Sequence, residues 1–547
     1  MSLWRRALFI ATLFFAICFL GFLLPAFSQQ ADSSVPSPGQ SSVAVQSQSL
    51  GDVARKLRKD TTTEVKMTNA DTKKLFESVD EIFAFAAEDT GMPKHAAIKR
   101  QLVGKVDVEK YTSGRLAKEE FTQRFATSEA SMKKLGFLPR DFNLREFLVK
   151  SNGQSIAGYY DEETKTISLL NWVSPDQQGP ILAHELTHAL QDQNYGLTKW
   201  MKAATKPSDG ASRNNDTDDG AIARKAVIEG QAMVVYVDYM LAAVGRNLAD
   251  TPGLLYQMEE PAVKAVIDSQ LMHDAPMIMR EMGTFSYSEG LIFEGELLHK
   301  GGKKMAFSGV FAHPPRNSHE VLQPEAYING VKVPPVRIPD MRQVLTNQYE
   351  VYDSGGIGEL DVRALLKQYG ERKIAAELSS AWQGGAYVTY RRATKAAAEI
   401  SPALSDLAFL YVSRWKSPQA AERFARFYAS AVSQRYRSAT AQAPPACTGA
   451  DCPVSVLQIA TEEGPVIMEH WADNSVVVSE SFDQTTAAKL RDAVREGGAA
   501  VHADNLRNDS TSEDELGSRL YEIPAFQRFQ ATIGERIAER MTSSLVY

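Results

Sequence analysis

Cysteine is scarce in this chain of 547 residues, which contains only three. So small a number excludes a disulfide-stapled miniature fold and a zinc site built from four thiolates in the exported chain. Cys18 lies in an apolar N-terminal run, whereas Cys447 and Cys452 have four residues between them. In an oxidising compartment that spacing predicts a small disulfide loop, because two thiols alone make a poor zinc site.

An excess of positive charge is also lacking. The formal net charge is −7, the pI is about 5.8, and no long block of Lys or Arg occurs. Nucleic acid is therefore not expected as a partner. Long apolar runs are missing as well, with the exception of Ala7–Leu24, so no later segment is expected to span a bilayer.

This exception has the pattern of an export signal. The Arg5-Arg6 pair provides a basic start, and residues 26–28 are an Ala-Phe-Ser cleavage segment. We predict a signal peptide over residues 1–28 and a secreted or periplasmic protein; the alternative is that the run stays as a membrane anchor. Residues 29–50 are rich in Ser, Gln and Pro and lack aromatic residues, which predicts a disordered linker.

Histidine is infrequent too, yet two of the nine form the motif H-E-x-x-H. His184, Glu185 and His188 make up this motif. Positions i and i+4 of an α-helix lie on one face, so both imidazoles reach one ion while Glu185 is displaced towards its water. The spacing predicts two zinc ligands and a general base. A chance match, the alternative, is expected on the order of 0.01 times per chain of this composition.

The run HELTHALQDQNYGL resembles the active-site helix of thermolysin-like peptidases. The resemblance implies a gluzincin, a zinc peptidase whose third protein ligand is a Glu on a later helix. Glu229 lies in Ala221–Val244, a helical pattern whose second half is apolar nearly all round, where a carboxylate needs a metal or a charged partner. The order of motif, polar loop and helix with E-G-x-A resembles a group of secreted bacterial gluzincin-like proteins. We therefore predict Glu229 as the third ligand of one zinc ion per chain.

The sequence departs from the thermolysin-like pattern at two points. Glu229 follows His188 by 41 residues, which is a longer interval, and Met233 stands where an Asp is expected. Since zinc-bound imidazoles usually donate their second N–H to an acceptor, Asp192 is our candidate for that partner. Three other carboxylates are substitutes for Glu229 in the ligand set: Glu259, Glu260 and Glu289.

Three residues are candidates for the donor that stabilises a tetrahedral oxyanion. The resembled proteins carry a similar Tyr-x-x-Gly-x-x-Phe helix, and a PPR-x-S segment followed by a His-Pro pair, where this chain has Gln323-Pro324. The candidates are accordingly Tyr287, His313 and His319. An ordinary structural role is the alternative for each of them.

The segment Ile156–Leu170 predicts two short strands around a turn at Asp161–Thr164. In zincins, which the resemblance implies, the strand just before the H-E-x-x-H helix is commonly the sheet edge along which a peptide lies. We therefore expect an exposed edge that binds the main chain of a substrate. An ordinary hairpin is the alternative.

The fold class predicted for the whole chain is α+β. We expect a zincin-like catalytic domain over residues 51–338, mostly helical with a small sheet, and a separate, smaller α+β module over residues 339–547. In this module the residue patterns predict a strand over Leu407–Trp415, a helix over Pro418–Arg435 and a turn at Gly384-Gly385. It has no metal-binding spacing or nucleophile motif, which favours a supporting or docking role.

These patterns together predict a secreted zinc metalloendopeptidase with a peptide or protein substrate, the peptidase class being implied by the resemblance. Two alternatives stay open. One is a catalytically inactive zincin-fold binding or scaffold protein of the cell envelope, and the other is a zinc hydrolase of a non-peptide substrate. Membrane contact is expected only if the N-terminal segment is retained as an anchor.

Overall fold

The computed structural model describes residues 67–107, 120–152, 158–203, 217–345, 348–370, 372–393, 402–444, 447, 452–499 and 524–544. The predicted signal peptide and linker lie outside the described residues. Within the described ranges, no helix is long and apolar enough to cross a membrane. The chain from Gln48 to Tyr547 forms one compact unit.

The first half of the chain is mainly helical and contains a three-stranded sheet. Its elements are α1 (Asn69–Thr90), β1 (Lys99–Val103), α2 (Glu120–Leu135), α3 (Leu144–Asn152), β2 (Tyr159–Asp161), β3 (Thr166–Leu170), α4 (Pro175–Tyr195), α5 (Leu197–Lys202), α6 (Thr217–Ala242), α7 (Pro252–Ile267), α8 (Gln270–His273), α9 (Met277–Lys304), a π-helix (Met305–Gly309), α10 (Val310–Ala312), α11 (Ser318–Leu322) and α12 (Pro324–Ile328). In the sheet, β3 is central, with β1 parallel on one side and β2 antiparallel on the other.

The second half contains a seven-stranded antiparallel sheet with helices. Its elements are α13 (Arg342–Leu345), β4 (Tyr349–Gly356), α14 (Glu359–Tyr369), α15 (Arg372–Ser379), β5 (Trp382–Arg392), a 3-10 turn (Leu404–Asp406), β6 (Leu407–Trp415), α16 (Pro418–Arg435), β7 (Ala439–Gln442), β8 (Ser455–Thr461), β9 (Gly464–His470), β10 (Ser475–Glu480), α17 (Gln484–Ala499) and α18 (Pro524–Ser544). The strand order is β4-β5-β6-β10-β9-β8-β7. This mixture of helices and sheets confirms the predicted α+β class.

Helix α6 is the central helix of the first half because it buries nearly its whole surface. The six residues from Ala232 to Val237 are all at most 3% exposed. Neighbouring helix α4 begins with Pro175 at its first position, where a missing N–H leaves no hydrogen bond unmade. It ends at Gly196, whose φ of 65° suits glycine. Helices α4 and α9 both pack against α6.

Helices α6 and α9 approach closely at two glycines. A Cβ atom on Gly230 would overlap the carbonyl group of Gly290, and one on Gly290 would lie 2.5 Å from the carbonyl oxygen of Ala226. Only glycine permits such backbone contact. The close approach fixes the separation of the two helices that carry Glu229 and Tyr287, and it explains the glycine in each of the two sequence motifs.

The predicted boundary at residue 338 does not divide the chain into two compact units. Helix α18, near the C-terminus, packs against α3, α7 and α9 of the first half. Its buried apolar stripe consists of Phe526, Phe529, Ile533 and Ile537, each 0% exposed. The prediction of a separate module over residues 339–547 is therefore wrong for this helix, because its hydrophobic stripe is covered by the first half of the chain.

Buried ion pairs also join the large sheet to the first half. The Nζ of Lys134 on α2 lies 2.8 Å from Oε2 of Glu463, and the Lys134 side chain is 0% exposed. Arg435 of α16 pairs with Glu480 of β10 at 2.8 Å and donates to the carbonyl oxygen of Lys134. Removing one member of such a pair would leave a buried charge uncompensated.

The local predictions for the second half are confirmed in part. The strand Leu407–Trp415 and the helix Pro418–Arg435 have the predicted bounds. The predicted turn at Gly384-Gly385 is wrong, since both glycines lie inside β5. The register of β5 against β6 shifts between Trp382 and Gly385, and Gly384 has a φ of 125°. The glycines therefore accommodate a β-bulge within one strand rather than a connection between two elements.

The variant Gly230→Ala is expected to lower the free energy of unfolding by about 1–3 kcal/mol, because the added Cβ must force α9 away from α6. The matched control is Gly253→Ala at the start of α7, where a Cβ meets nothing within 4 Å and a neutral or stabilising effect is expected. Urea unfolding followed by circular dichroism measures both. Equal midpoints for Gly230→Ala and the parent protein would contradict the packing argument.

Candidate metal centre

His184 and His188 lie one turn apart on the accessible side of α4. The opposite side of the helix carries Leu182, Leu186 and Leu190, which are all at most 2% exposed and face the core. The imidazole side chains of His184 and His188 are 12% and 14% exposed. Their Nε2 atoms are 3.1 Å apart. The two imidazoles thus face one point in space, as the motif predicted.

Glu229 of α6 approaches the same point. Its Oε2 lies 3.2 Å from Nε2 of His184 and 3.4 Å from Nε2 of His188. The side chain is 3% exposed, and Oε2 faces both imidazoles. Neighbouring ligands of tetrahedral zinc, with bonds of about 2.0–2.2 Å, are about 3.3 Å apart. The three atoms have the spacing of three corners of such a site, so the group can hold a metal ion.

The three substitute ligands do not join this group. Glu289 lies on α9 and pairs with Arg363 of α14 at 2.6 Å. Glu259 lies on α7, where burial and then the charges of Glu289 and Glu260 raise its pKa to about 7. Glu260 is exposed on the same helix. The predicted ligand set of His184, His188 and Glu229 is therefore the one that the structure brings together.

The charges around the metal-free site balance one another. The Nζ of Lys225 contacts Oε1 of Glu229 one helical turn away. Burial alone lowers the pKa of His188, but the Glu229 carboxylate outweighs it and raises that pKa to about 9. Burial likewise raises the pKa of Glu229, but Lys225 and His188 hold it well below its usual range. Glu229 is therefore ionised, as a metal ligand must be.

An amide chain orients the imidazole of His188. Its Nδ1 lies 2.9 Å from Oε1 of Gln191, whose Nε2 donates to the carbonyl oxygen of Ile228 at 3.0 Å and to Oε1 of Gln231 at 2.8 Å. Since both N–H groups of the Gln191 amide are used, its oxygen Oε1 is the atom that faces His188. This oxygen accepts a hydrogen bond from Nδ1–H of His188. Because Nδ1 keeps its proton in this hydrogen bond, Nε2 is the nitrogen that would lose its proton and bind a metal.

The π-helix Met305–Gly309 accepts hydrogen bonds from this amide chain and from Tyr195. The Nε2 of Gln231 donates to the carbonyl oxygen of Ala306 at 2.6 Å, and the hydroxyl of Tyr195 donates to that of Phe307 at 3.2 Å. A π-helical turn is rare and is frequently found at functional sites. The backbone irregularity thus accepts hydrogen bonds from both α4 and α6.

Asp192 is not the partner of a zinc-binding imidazole, which corrects our prediction. Its Oδ2 accepts from the hydroxyl of Tyr160 at 2.9 Å and pairs with Lys165. Asp192 and Gln191 are adjacent in sequence, so their side chains point about 100° apart on the helix, and only Gln191 faces His188. Asp192 instead fastens the β2–β3 hairpin to α4.

Glu185 lies beside the free edge of the small sheet. The backbone N–H of Tyr160 on β2 donates to Oε2 of Glu185 at 2.8 Å. The predicted hairpin is confirmed, with β2 and β3 antiparallel. Our expectation that the strand just before α4 forms the edge is wrong: that strand is β3, which lies between β1 and β2. In the described sheet the edge strands are β1 and β2, and it is the outer side of β2 that contacts the predicted base.

Tyr287 is the oxyanion candidate that lies at the site. Its ring stacks on that of His184, with centroids 6.3 Å apart and planes at 18°. Burial and then the charges of Glu229 and Glu185 raise its pKa well above the ordinary value. The phenol is therefore protonated and can donate. Gly534 of α18 packs on this ring so closely that a Cβ there would overlap it.

The two histidine candidates lie elsewhere. The Nδ1 of His319 on α11 lies 2.6 Å from Oε2 of Glu359 on α14, so this imidazole joins two helices. His313 is exposed, and its carbonyl oxygen accepts from the hydroxyl of Tyr327 at 2.6 Å. Among the contacts of the described residues, none brings either imidazole to the metal centre. Both predictions are corrected in favour of structural roles.

The predicted disulfide is confirmed. Cys447 and Cys452 are bonded, with their Cα atoms 5.7 Å apart. The bridge closes a short loop between β7 and β8, in the second half of the chain.

Several residues of the site were missed from sequence. Gln191 follows His188 by three positions and Lys225 precedes Glu229 by four, so helical spacing already placed each beside a ligand. Gln231 and Gly534 had no comparable signal, because their contacts depend on how α6 meets the π-helix and how α18 returns to α9.

A family model described as Domain of unknown function (DUF8575) matches residues 347–505. The matched residues contain the seven-stranded sheet and end before α18, and the metal centre lies outside them. No match was found among curated proteins or among solved structures.

Replacing Gln191 by Leu is expected to weaken zinc binding by about 10 to 100-fold, because His188 loses the acceptor that orients it. The control is Asp192→Asn at the neighbouring position, which leaves the Gln191 chain intact and should change zinc affinity little. Competition with a chromogenic chelator measures both constants. A larger loss of affinity in Asp192→Asn than in Gln191→Leu would reverse the two roles.

Proposed function

We propose that this protein is a zinc-dependent metalloendopeptidase of the gluzincin type, with a zincin-like arrangement of its first half. One observation carries the proposal: two imidazoles and a buried carboxylate converge from α4 and α6, with Glu185 beside them. The buried Oε2 of Glu229 lies within 3.4 Å of both Nε2 atoms, and a metal ion held between the three atoms would bind all of them. His184, His188 and Glu229 would hold one zinc ion.

Glu185 is the proposed general base. A zinc ion held by the three ligands would supply Lewis acidity and make a water acidic enough to lose a proton near neutral pH. Glu185 takes the proton of the attacking water and later delivers it to the leaving amine. Its carboxylate is held by the backbone N–H of Tyr160 at 2.8 Å, so one oxygen is fixed and the other remains available for the proton.

Tyr287 is the proposed donor to the oxyanion that forms on the substrate carbonyl. Its raised pKa keeps the phenol protonated, and stacking on His184 together with packing on Gly534 fixes the ring. A donor whose position is fixed before the reaction stabilises developing charge without reorganisation.

A peptide substrate is favoured by the edge strand β2. An extended main chain can add to a sheet edge by backbone hydrogen bonds, which gives affinity with little dependence on sequence. On β2 the outer N–H of Tyr160 is already bound to Glu185, so a peptide would pair with the backbone groups beside it. Because β2 also contacts Glu185, a peptide on this edge would lie next to the proposed base. Export remains part of the proposal: the Cys447–Cys452 disulfide suits an oxidising compartment, and retention of the N-terminal segment as an anchor is the alternative.

Purified protein is expected to contain about one zinc per chain, measured by plasma mass spectrometry. His188→Ala and Glu229→Ala should each lose most of it, because two remaining ligands bind the ion far more weakly. Glu259→Ala is the control for a carboxylate outside the group and should keep its zinc. Normal zinc content in Glu229→Ala would remove this residue from the ligand set.

Glu185→Gln is expected to keep its zinc but to lower turnover by about 100 to 10,000-fold, the range for a positioned base. Tyr287→Phe should lower turnover by about 100 to 1,000-fold with its zinc also retained, since it removes one oxyanion donor. Digestion of a peptide library, read by mass spectrometry, measures both. A zinc-loaded parent that cleaves no peptide would support the scaffold or non-peptide alternative instead.

A further inference from the structure

The two oxygens of Glu229 have different surroundings. Oε2 faces both imidazoles, at 3.2 and 3.4 Å from their Nε2 atoms, whereas Oε1 contacts Nζ of Lys225. Lys225 precedes Glu229 by one turn of the same helix, so both side chains project from one face of α6. The ammonium group therefore lies on the side of the carboxylate away from the imidazoles.

This ion pair differs from an ordinary pair on a helix surface. The side chains of Lys225 and Glu229 are 30% and 3% exposed, whereas the equally spaced pair of Lys264 and Asp268 on α7 is 73% and 60% exposed. Water therefore screens the inner pair far less. The negative charges of Glu162 and Glu185 also act on Lys225 and, together with Glu229, favour its charged form.

We propose that Lys225 is a positioning residue, which restricts Glu229 to a metal ligand of one oxygen and thereby keeps a coordination position open for water. The proposal rests on the zinc site proposed above. A carboxylate is able to bind a metal through one oxygen or through both. A hydrolytic zinc site needs three protein ligands and an open fourth position. An ammonium group bound to Oε1 makes the two-oxygen mode unfavourable.

The restraint has a consequence that a purely supporting role would not have. Without Lys225, Oε1 is free to turn towards the ion, and the loss of a nearby positive charge also favours cation binding. Metal affinity should then be retained or rise, while the geometry around the ion changes and turnover falls. A residue that only stabilised the fold would cause loss of the metal or of the folded protein.

The test uses Co²⁺ in place of zinc, because its visible absorption reports the coordination number. Full-length Lys225→Met, stripped with a chelator and refilled with Co²⁺, is expected to bind the ion at least as tightly as the parent. Its visible absorption should be weaker, as expected for higher coordination, and zinc-loaded turnover should fall by about 10 to 100-fold. Lys225→Arg should restore both, and Lys264→Met, the matched surface control, should match the parent.

Two results would overturn the inference: a Lys225→Met spectrum and turnover equal to those of the parent, or a severalfold loss of Co²⁺ affinity. If Lys225→Met does not fold, Lys225→Gln serves instead, since its amide falls one bond short of Oε1 and the same spectral change is expected. Failure of the underlying site gives a different result. In that case the parent itself would show no Co²⁺ absorption that depends on His188.

Discussion

The burial of the Glu229 carboxylate is the constraint on which the helical half of this protein depends. A charge 3% exposed is costly unless opposite charge or a metal compensates it. Compensation comes from Lys225 on the same helix and from His184 and His188 on α4. Helices α4 and α6 must therefore stay in register, and the aliphatic packing beneath them has to fix their separation.

That register is maintained by residues from distant parts of the sequence. The amide chain from Gln191 through Gln231 ends on the π-helix, and Tyr287 is held by Gly534 of the last helix. This agrees with a single compact unit from Gln48 to Tyr547, because the site includes Gly534 near the C-terminus as well as residues of the helical half. The seven-stranded sheet is an inserted part of this unit, since the chain leaves it to return to α9.

Features that depend on residues close together in sequence could be predicted, whereas features that depend on tertiary contacts could not. The two histidines were predictable because their spacing of four is a local property of a helix, and Glu229 because an acid in an apolar helix needs a partner. The partner of His188 could not be predicted. Gln191 and Asp192 are adjacent in sequence, and only the tertiary contact of Gln191 with α6 distinguishes them. The turn predicted at Gly384 was wrong for a similar reason. Glycine is favoured in β-bulges as well as in turns, and only the pairing with β6 shows which one is present.

The edge strand ties the proposed chemistry to the proposed substrate. Tyr160 contacts α4 twice, by its backbone N–H to Glu185 and by its hydroxyl to Asp192. These residues are seven positions apart on the same face of the helix, so the two contacts fix both the distance and the direction of β2. The orientation of a peptide bound to that edge would therefore be set by α4, the helix that carries two of the proposed ligands and the proposed base. Substrate, base and metal would then all be positioned by α4 and the strand attached to it. Their relative orientation, on which the rate depends, would be set by this small part of the fold.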